Sequence, residues 1–317
     1  MSKMKIHRKI CTALLGVGLL LGATSLSAPV WSADEARLER FVGAEPTVFE
    51  TPEDAVTAFK VAIAADDYDS LALLLGLDVD ALKKAEEIDE RVSEIREGAA
   101  KLMSVEEDGD RRILKIGYEV WPFPFPLRKS DDGKWAFDTY AGLEEIINRR
   151  VGENELQAIA TMKAYVEAQH EYVSADHDDD GVLEYAQKLV SSEGATDGLY
   201  WPMEQGDGES PAGPFVDQTA LDKANAGDGY FGYKFRILKA QGNRVAGGRY
   251  HYVINGNMVA GFGLVAWPAK YAETGVHTFV VNHAGIVYEA DLGDKTNDIA
   301  PKIRRFNPGK SWNVVGN

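Results

Sequence analysis

The sequence predicts an α+β protein of two domains, each with helices packed on an antiparallel sheet. Over residues 51–102 the apolar residues recur every three or four positions, and the period then changes to two. The same order returns later, with a long helical pattern from about residue 154 followed by a strand-rich last third. A chain of 317 residues with 45% hydrophobic residues can bury two separate cores.

The N-terminus has the order of a secretory signal peptide. Basic residues among the first nine precede an apolar run over residues 10–23, which is shorter than the roughly 20 residues of a membrane span. We expect residues 1–33 to be cleaved and residues 34–50 to form a loose leader. The mature protein would then be periplasmic or secreted, without stable membrane insertion. An uncleaved anchor is the alternative.

Charge and cysteine content exclude several function classes. The 50 acidic residues outnumber the 34 basic ones, and a net charge of −16 disfavours nucleic acid and anionic lipid but attracts cations. The only cysteine, Cys11, lies in the signal segment. The mature chain is therefore expected to contain neither a disulfide nor a catalytic thiol.

The first domain, residues 51–150, is expected to begin with helices. Thr51 can cap the first helix, Pro52 suits its first position, and Asp54 completes a capping-box-like pair. A second short helix is expected over residues 70–75, with Gly76 ending it. The longest apolar stripe, residues 82–102, predicts one further helix.

A sheet should follow these helices. The stretch RRILKIGYEV alternates, and Asp132-Gly133 predicts a hairpin turn. Between them, WPFPFPL contains three prolines and must be an edge strand or an extended crossing. The order of elements resembles the cone-shaped nuclear-transport-factor-like fold, whose members often hold a ligand in the cone. Asp138 and Tyr118 are candidates for lining such a cavity, and ordinary packing is the alternative. Residues 34–169 contain no histidine, the usual base of the catalytic members of that fold.

The second domain, residues 151–317, should contain a long helix. A helical bridge from Gly142 is expected to break near Gly152, and Asn154 would cap a new helix. A further helix is expected from about Val182 to Ser191. The Gly-, Asp- and Pro-rich stretch 193–229 predicts a long ordered loop or an insert.

Strands fill the rest of this domain. Asn255-Gly256 between two apolar runs is a strong hairpin signal. The helix-then-sheet order and the terminal TGVHTFVVNHAGIVYEADLG resemble the head of a type IV pilin or pseudopilin. In pilins the helix begins at the mature N-terminus, whereas here a whole domain precedes it. A fibre subunit is therefore not expected, and a structural assembly protein with a pilin-like head is the third hypothesis.

The stretch DHDDDGVLEYAQ matches much of a calcium-loop template. Alternating carboxylates, a glycine for the sharp turn and a backbone carbonyl suit a hard cation, but the twelfth position is glutamine instead of glutamate. The alternative is a solvated acidic turn. His177 is a weaker candidate for a transition-metal site. We therefore expect a Ca²⁺ clamp joining two helices, with the ligands Asp176, Asp178, Asp180, Val182, Glu184 and Gln187.

No residue pattern names a reaction. The sequence has no GxSxG, HExxH, Walker A or Rossmann glycine pattern. Trp-Pro recurs at Trp121, Trp201 and Trp267, which predicts corners over the core; a glycan-stacking platform is the alternative. We expect a non-enzymatic binding or accessory protein whose partner is an envelope protein or a glycan. The competing hypothesis is a hydrolase of envelope polymers, using a carboxylate or metal site between domains.

Several long segments together resemble one known family. These segments include VWPFPFPL, FDTYAGLEEIINRRVGENELQAIATMKAYVEAQ, DHDDDGVLEYAQKLVSSEGATDGLYWP and VAGFGLVAWPAKYAETGVHTFVVNHAGIVYEADLG. They resemble the exported bacterial proteins called domain of unknown function 2950, over nearly all of residues 51–312. The resemblance implies a bacterial envelope location. It transfers no activity and no catalytic residue.

Overall fold

The computed structural model describes residues 38–85, 88–205 and 208–316. Contacts divide the chain into two compact units, residues 1–146 and residues 147–317. Helices and antiparallel sheets occur in both units, so the α+β class is confirmed. The expected signal peptide lies outside the described residues. No helix in the described ranges has the length and the apolar composition that a bilayer crossing requires.

Seven α-helices and fourteen strands run through the described residues. The helices are α1 Pro52–Ala64, α2 Tyr68–Leu75, α3 Val79–Lys83, α4 Ile88–Lys101, α5 Thr139–Tyr172, α6 Gln218–Ala226 and α7 Thr296–Ile299. The strands of the first unit are β1 Met103–Asp108, β2 Arg111–Ile116, β3 Trp121–Pro122, β4 Leu127–Lys129 and β5 Trp135–Phe137. Those of the second unit are β6 Tyr233–Leu238, β7 Ala240–Gln241, β8 Tyr250–His251, β9 Val253–Ile254, β10 Asn257–Met258, β11 Gly263–Pro268, β12 His277–Asn282, β13 Tyr288–Asp291 and β14 Asn313–Val314.

The start of α1 confirms the capping prediction. The Thr51 hydroxyl accepts a hydrogen bond from the Asp54 amide, and Pro52 is the first helical residue. Because Gly76 adopts φ 69°, it ends α2 in the left-handed conformation. The expected single helix over residues 82–102 is wrong. It consists of α3 and α4, and the Asp78 side chain starts α3 by accepting from the Ala81 amide.

The first sheet has the order β1-β2-β4-β5, with β3 paired to β2. The hairpin at Asp132-Gly133 is confirmed between β4 and β5. Trp121 and Pro122 pair only with the end of β2, so WPFPFPL is an extended crossing. It carries Phe123 and Phe125 into the core of this unit.

The two residues expected to line a cone-shaped cavity do not do so. The Tyr118 side chain is 76% exposed. The Asp138 carboxylate accepts from the Ala141 amide at the start of α5 and pairs with Arg128 at 3.3 Å. Both positions are therefore explained by solvent exposure and helix capping.

Helix α5 is continuous, so the expected break near Gly152 is wrong. A Cβ atom at Gly152 would meet nothing within 4 Å, and one exposed glycine costs a helix only about 1 kcal/mol. Asn154 does not cap a new helix. Its side-chain amide donates to the Thr274 carbonyl at 3.0 Å, a contact 120 residues away in sequence.

The second sheet has the order β14-β13-β12-β11-β6, and every pair is antiparallel. All six residues of β11 are buried, whereas β6 is an edge strand. The residues Ala158, Met162 and Tyr165 of α5 pack in the main core of this unit with residues of β11 and β12. The Asn255-Gly256 turn between β9 and β10 is confirmed, since both residues have positive φ.

One prediction about the middle of this unit is wrong. Residues 182–191 form no helix; Ala186 bonds through both its N–H and its C=O to the Gln169 side chain, which leaves no i→i−4 ladder there. The stretch 193–229 is not only a loop. It contains α6, which Asp217 caps and Gly227 ends.

Candidate functional site

The three alternating aspartates converge in the loop after α5. Asp176, Asp178 and Asp180 each offer an oxygen within 4.8 Å of the others, and all three are exposed. The carboxylate of Asp176 accepts from the Gly181 amide at 2.9 Å. Gly181 has φ 82°, a conformation in which glycine carries no steric cost.

The pKa values of two neighbouring carboxyl groups in this loop are shifted in opposite directions. The Gly181 amide lowers the pKa of Asp176 below its usual value. Partial loss of solvent, and then the charge of Asp180, raise the pKa of Asp178. The loop therefore contains a carboxylate repulsion that a bound cation would relieve.

The remaining predicted ligands make other contacts. The Glu184 carboxylate accepts from the Met258 amide at 2.7 Å. Gln187 donates to the Gly256 carbonyl at 2.6 Å and accepts from the Lys239 ammonium at 2.8 Å. These bonds attach the second half of the loop to the β9–β10 hairpin. Of the predicted side-chain ligands, only the three aspartates therefore converge on one point.

Val182 and Asp180 complete this attachment. The Val182 amide donates to Asp180 at 2.8 Å, and Asn257 donates to the other Asp180 oxygen at 2.6 Å. Only one of the elements that flank the loop is a helix, α5. The prediction of a clamp between two helices is therefore wrong, because the loop joins a helix to an extended segment.

His177 does not turn toward the aspartates. Its ring stacks on Tyr172 with the ring centroids 3.8 Å apart, and its Nε2 lies 3.0 Å from the Tyr172 carbonyl oxygen. Trp201 and Trp267 are buried. An exposed glycan-stacking face therefore does not form at these two tryptophans.

The second unit also contains an apolar cavity of about 530 Å³. Its walls come from α5, the loop that contains Leu189 and Leu199, the insert that carries α6, and strands β6 and β11. Seven of the described lining residues are aromatic and account for much of the wall: Tyr165, Tyr200, Phe215, Tyr230, Tyr233, Phe235 and Trp267.

The two buried tyrosine hydroxyls at this cavity, those of Tyr165 and Tyr233, are already hydrogen-bonded. Tyr165 donates to the Gly263 carbonyl at 3.1 Å, and Tyr233 donates to the His277 carbonyl at 3.0 Å. Burial raises the pKa of both hydroxyls well above the usual range. Among the described lining residues there is one lysine, Lys234, and no Asp, Glu or His. This lining offers no acid–base pair.

A second cavity, also about 530 Å³, forms a groove between residues 187–189 and strand β6. Its lining includes four cationic residues and shares Leu189 and Phe235 with the apolar cavity. The four cations are Lys188, Arg236, Lys239 and Arg304.

Sequence reasoning missed both cavities. Their walls include residues 187–190, expected as helix, and the segment 212–230, expected as a loop or an insert. The dense aromatic residues of the stretch 230–235 were the available signal. They predicted a strand, but nothing local indicates that this strand lies at the edge of its sheet.

Comparison with known proteins identifies the family and gives no activity. No curated protein matches the sequence, and no solved structure matches the chain. The likeness to pilin heads and to nuclear-transport-factor-like domains therefore has no support from solved structures. One family model, the protein of unknown function DUF2950, matches residues 46–315. Because this match covers most of the chain, the protein belongs to the DUF2950 family.

Proposed function

We propose that this protein is an exported binding protein of the bacterial envelope whose ligand enters the apolar cavity of residues 147–317. The cavity is the single observation that carries the proposal. Its volume of about 530 Å³ falls within the range of roughly 300–1,000 Å³ that small-molecule sites occupy. Export rests on the signal-peptide pattern of residues 1–33.

The chemistry of the lining favours binding over hydrolysis. Aromatic and aliphatic side chains surround the space, so an acyl chain or the apolar side chains of a peptide would lose contact with water there. A hydrolase needs a general acid or base within reach of the substrate. The described lining residues supply no carboxylate or imidazole for that role.

A filled cavity tests the proposal. Ala164 lines the cavity on α5, and Ala164→Leu would occupy part of the space while keeping a good helix former. Ala160→Leu is the matched control, because Ala160 is exposed on the same helix. We expect a fluorescent fatty-acyl probe to bind the wild type and Ala160→Leu alike, and Ala164→Leu about tenfold more weakly, which corresponds to about 1.4 kcal/mol.

Two results would contradict the cavity proposal. One is a wild type that does not bind the probe at micromolar concentrations. The other is equal probe affinity in Ala164→Leu and the wild type, with both folded by circular dichroism.

The acidic loop is proposed as a Ca²⁺ site that stabilises the fold. Support comes from the convergence of Asp176, Asp178 and Asp180 and from the raised pKa of Asp178. A site with three carboxylates and no bidentate glutamate should be weak, with a Kd on the order of 10⁻⁴–10⁻³ M, as in extracellular modules.

Substitutions in the loop separate a metal site from a solvated turn. Asp178→Asn removes a ligand, whereas Asp179→Asn removes the same charge from a neighbour outside the converging set. Asparagine tolerates the positive φ of Asp179. Millimolar Ca²⁺ should raise the Tm of the wild type and of Asp179→Asn, with little effect on Asp178→Asn. A wild type without either a Tm shift or a binding heat would refute the site.

A further inference from the structure

Strand β6 presents a free edge to the cationic groove. Among the strands of the described residues it pairs only with β11. At its first residue, Tyr233, both the N–H and the C=O bond to Tyr230, on the side away from β11. Because backbone groups alternate sides along a strand, Phe235 and Ile237 direct their N–H and C=O groups to the same free side. Among the described residues these four groups have no hydrogen-bond partner.

The groove along this edge is positively charged. Lys188 pairs with Asp197. No described carboxylate lies within 4.0 Å of Arg236, Lys239 or Arg304, so no ion pair offsets these three charges. The whole chain carries a net charge of −16, so this cationic groove is a local exception to an acidic composition.

Neutral oxygens hold two of these cations in place. Arg236 donates to the Pro301 carbonyl at 2.6 Å and also to the Ile303 carbonyl. Lys239 donates to the Gln187 side chain. Burial, and then the charge of Arg304, lower the pKa of Arg236 below its usual value. An anion in the groove would relieve this repulsion.

The free edge, the cations and the apolar cavity adjoin one another. Leu189 and Phe235 line both spaces. A strand added at the β6 edge would alternate its side chains between opposite faces. Its apolar side chains could therefore face the apolar cavity, and its acidic side chains could face the cations. Backbone pairing at an exposed sheet edge is a general mode of peptide recognition.

We propose that the edge of β6 binds an extended acidic peptide as an added strand. The peptide backbone pairs with Phe235 and Ile237, and its carboxylates face Arg236, Lys239 and Arg304. This inference rests on the proposed function, since an apolar side chain of the peptide enters the apolar cavity. An anionic lipid would satisfy the charges but would leave the backbone groups of β6 unpaired.

Synthetic peptides are the direct probe. A labelled nine-residue peptide alternating Glu and Val should bind the wild type with a micromolar Kd. A Lys/Val peptide of the same length should bind at least tenfold more weakly. The Glu/Val peptide methylated at alternate backbone nitrogens should also lose binding, because it cannot donate to the β6 carbonyls.

Variants of the protein test the edge and the charges separately. Ile237→Pro removes the outward N–H without removing a bond to β11, and Ile237→Ala controls for the lost side chain. Arg304→Glu reverses a groove charge, and Lys310→Glu makes the same charge change at an exposed site outside the groove lining. We expect at least tenfold weaker binding for Ile237→Pro and Arg304→Glu. Ile237→Pro should also bind at least tenfold more weakly than Ile237→Ala, and Lys310→Glu should stay within threefold of the wild type.

The fatty-acyl probe separates this inference from the proposed function. If that probe binds the wild type and no Glu/Val peptide does, the peptide inference is overturned while the cavity function stands. If the probe also fails, the cavity function falls. A third outcome is that no peptide binds, while oleate binds the wild type and binds Arg304→Glu at least tenfold more weakly. This result would instead assign the groove to an anionic headgroup. Binding of the acyl probe to Ile237→Pro is the control for folding. Peptide binding is compared only if this variant still binds the acyl probe.

Discussion

Two glycines of α5, Gly142 and Gly152, have opposite surroundings. A Cβ atom at Gly142 would lie 2.0 Å from the Phe125 ring, whereas one at Gly152 would meet nothing within 4 Å. The Phe125 side chain is 3% exposed, so its ring has little room to move. The first glycine is therefore required by packing and the second is not.

Alanine substitutions should separate these two cases. Gly142→Ala overpacks the Phe125 contact and should lower the free energy of unfolding by about 1–3 kcal/mol. Gly152→Ala should raise it by about 0.4–1 kcal/mol, because alanine restricts the unfolded chain and favours helix. Urea unfolding followed by circular dichroism measures both. Equal effects of the two substitutions would contradict the close approach of Phe125.

At the scale of elements, residues 187–200 form a loop that folds back on itself, since the Tyr200 amide donates to the Leu189 carbonyl at 3.0 Å. The Asp197 carboxylate accepts from the Ser192 amide at 2.8 Å and pairs with Lys188. The bond from Lys188, together with those from Ser192, lowers the pKa of Asp197. Because Lys188, Leu189 and Tyr200 belong to the cavity walls, this carboxylate supports both candidate sites.

Acid should weaken this element through Asp197. A carboxyl group with a lowered pKa in the folded state stabilises the fold at pH values above its unfolded pKa, and the contribution is lost as the pH falls through the folded value. Asp197→Asn should therefore lower the urea midpoint at pH 6, and its difference from the wild type should shrink below pH 3.8, the usual value. In a Lys188→Met background the substitution should matter less. A difference that does not depend on pH would contradict this role.

At the scale of the whole molecule, negative charge dominates. The net charge of −16 makes the compact state repel itself, and the repulsion is strongest when few salt ions screen it. The screening length shortens from roughly 30 Å at 0.01 M to roughly 8 Å at 0.15 M ionic strength. Stability should therefore depend on salt at low concentration.

Sodium chloride should stabilise the wild type. With a calcium chelator present, raising the salt from about 10 mM to about 150 mM should raise the Tm, because it screens this repulsion. The same ionic strength supplied by another sodium salt of a weakly binding anion should give a similar shift. A Tm that stays constant or falls would show that the acidic residues are too far apart to repel one another measurably.

The sequence by itself determined the features that depend on close neighbours. These include the Thr51 cap, the end of α2 at Gly76, the Asn255-Gly256 turn and the α+β class. Each cap or turn is a bond between residues two to four positions apart, so its residue types already specify it. The three converging aspartates belong to the same group, because a short turn brings alternate side chains together.

Only the tertiary structure decided the rest. Residues 182–191 are not helical because the side chain of Gln169, 17 positions before Ala186, bonds to both backbone groups of Ala186. Glu184 faces the Met258 amide, 74 residues away, instead of the aspartates. The free edge of β6 and the two cavities depend on which strand ends the sheet. These features follow from contacts between residues that are distant in sequence. The periodicity of a segment does not identify such a distant partner.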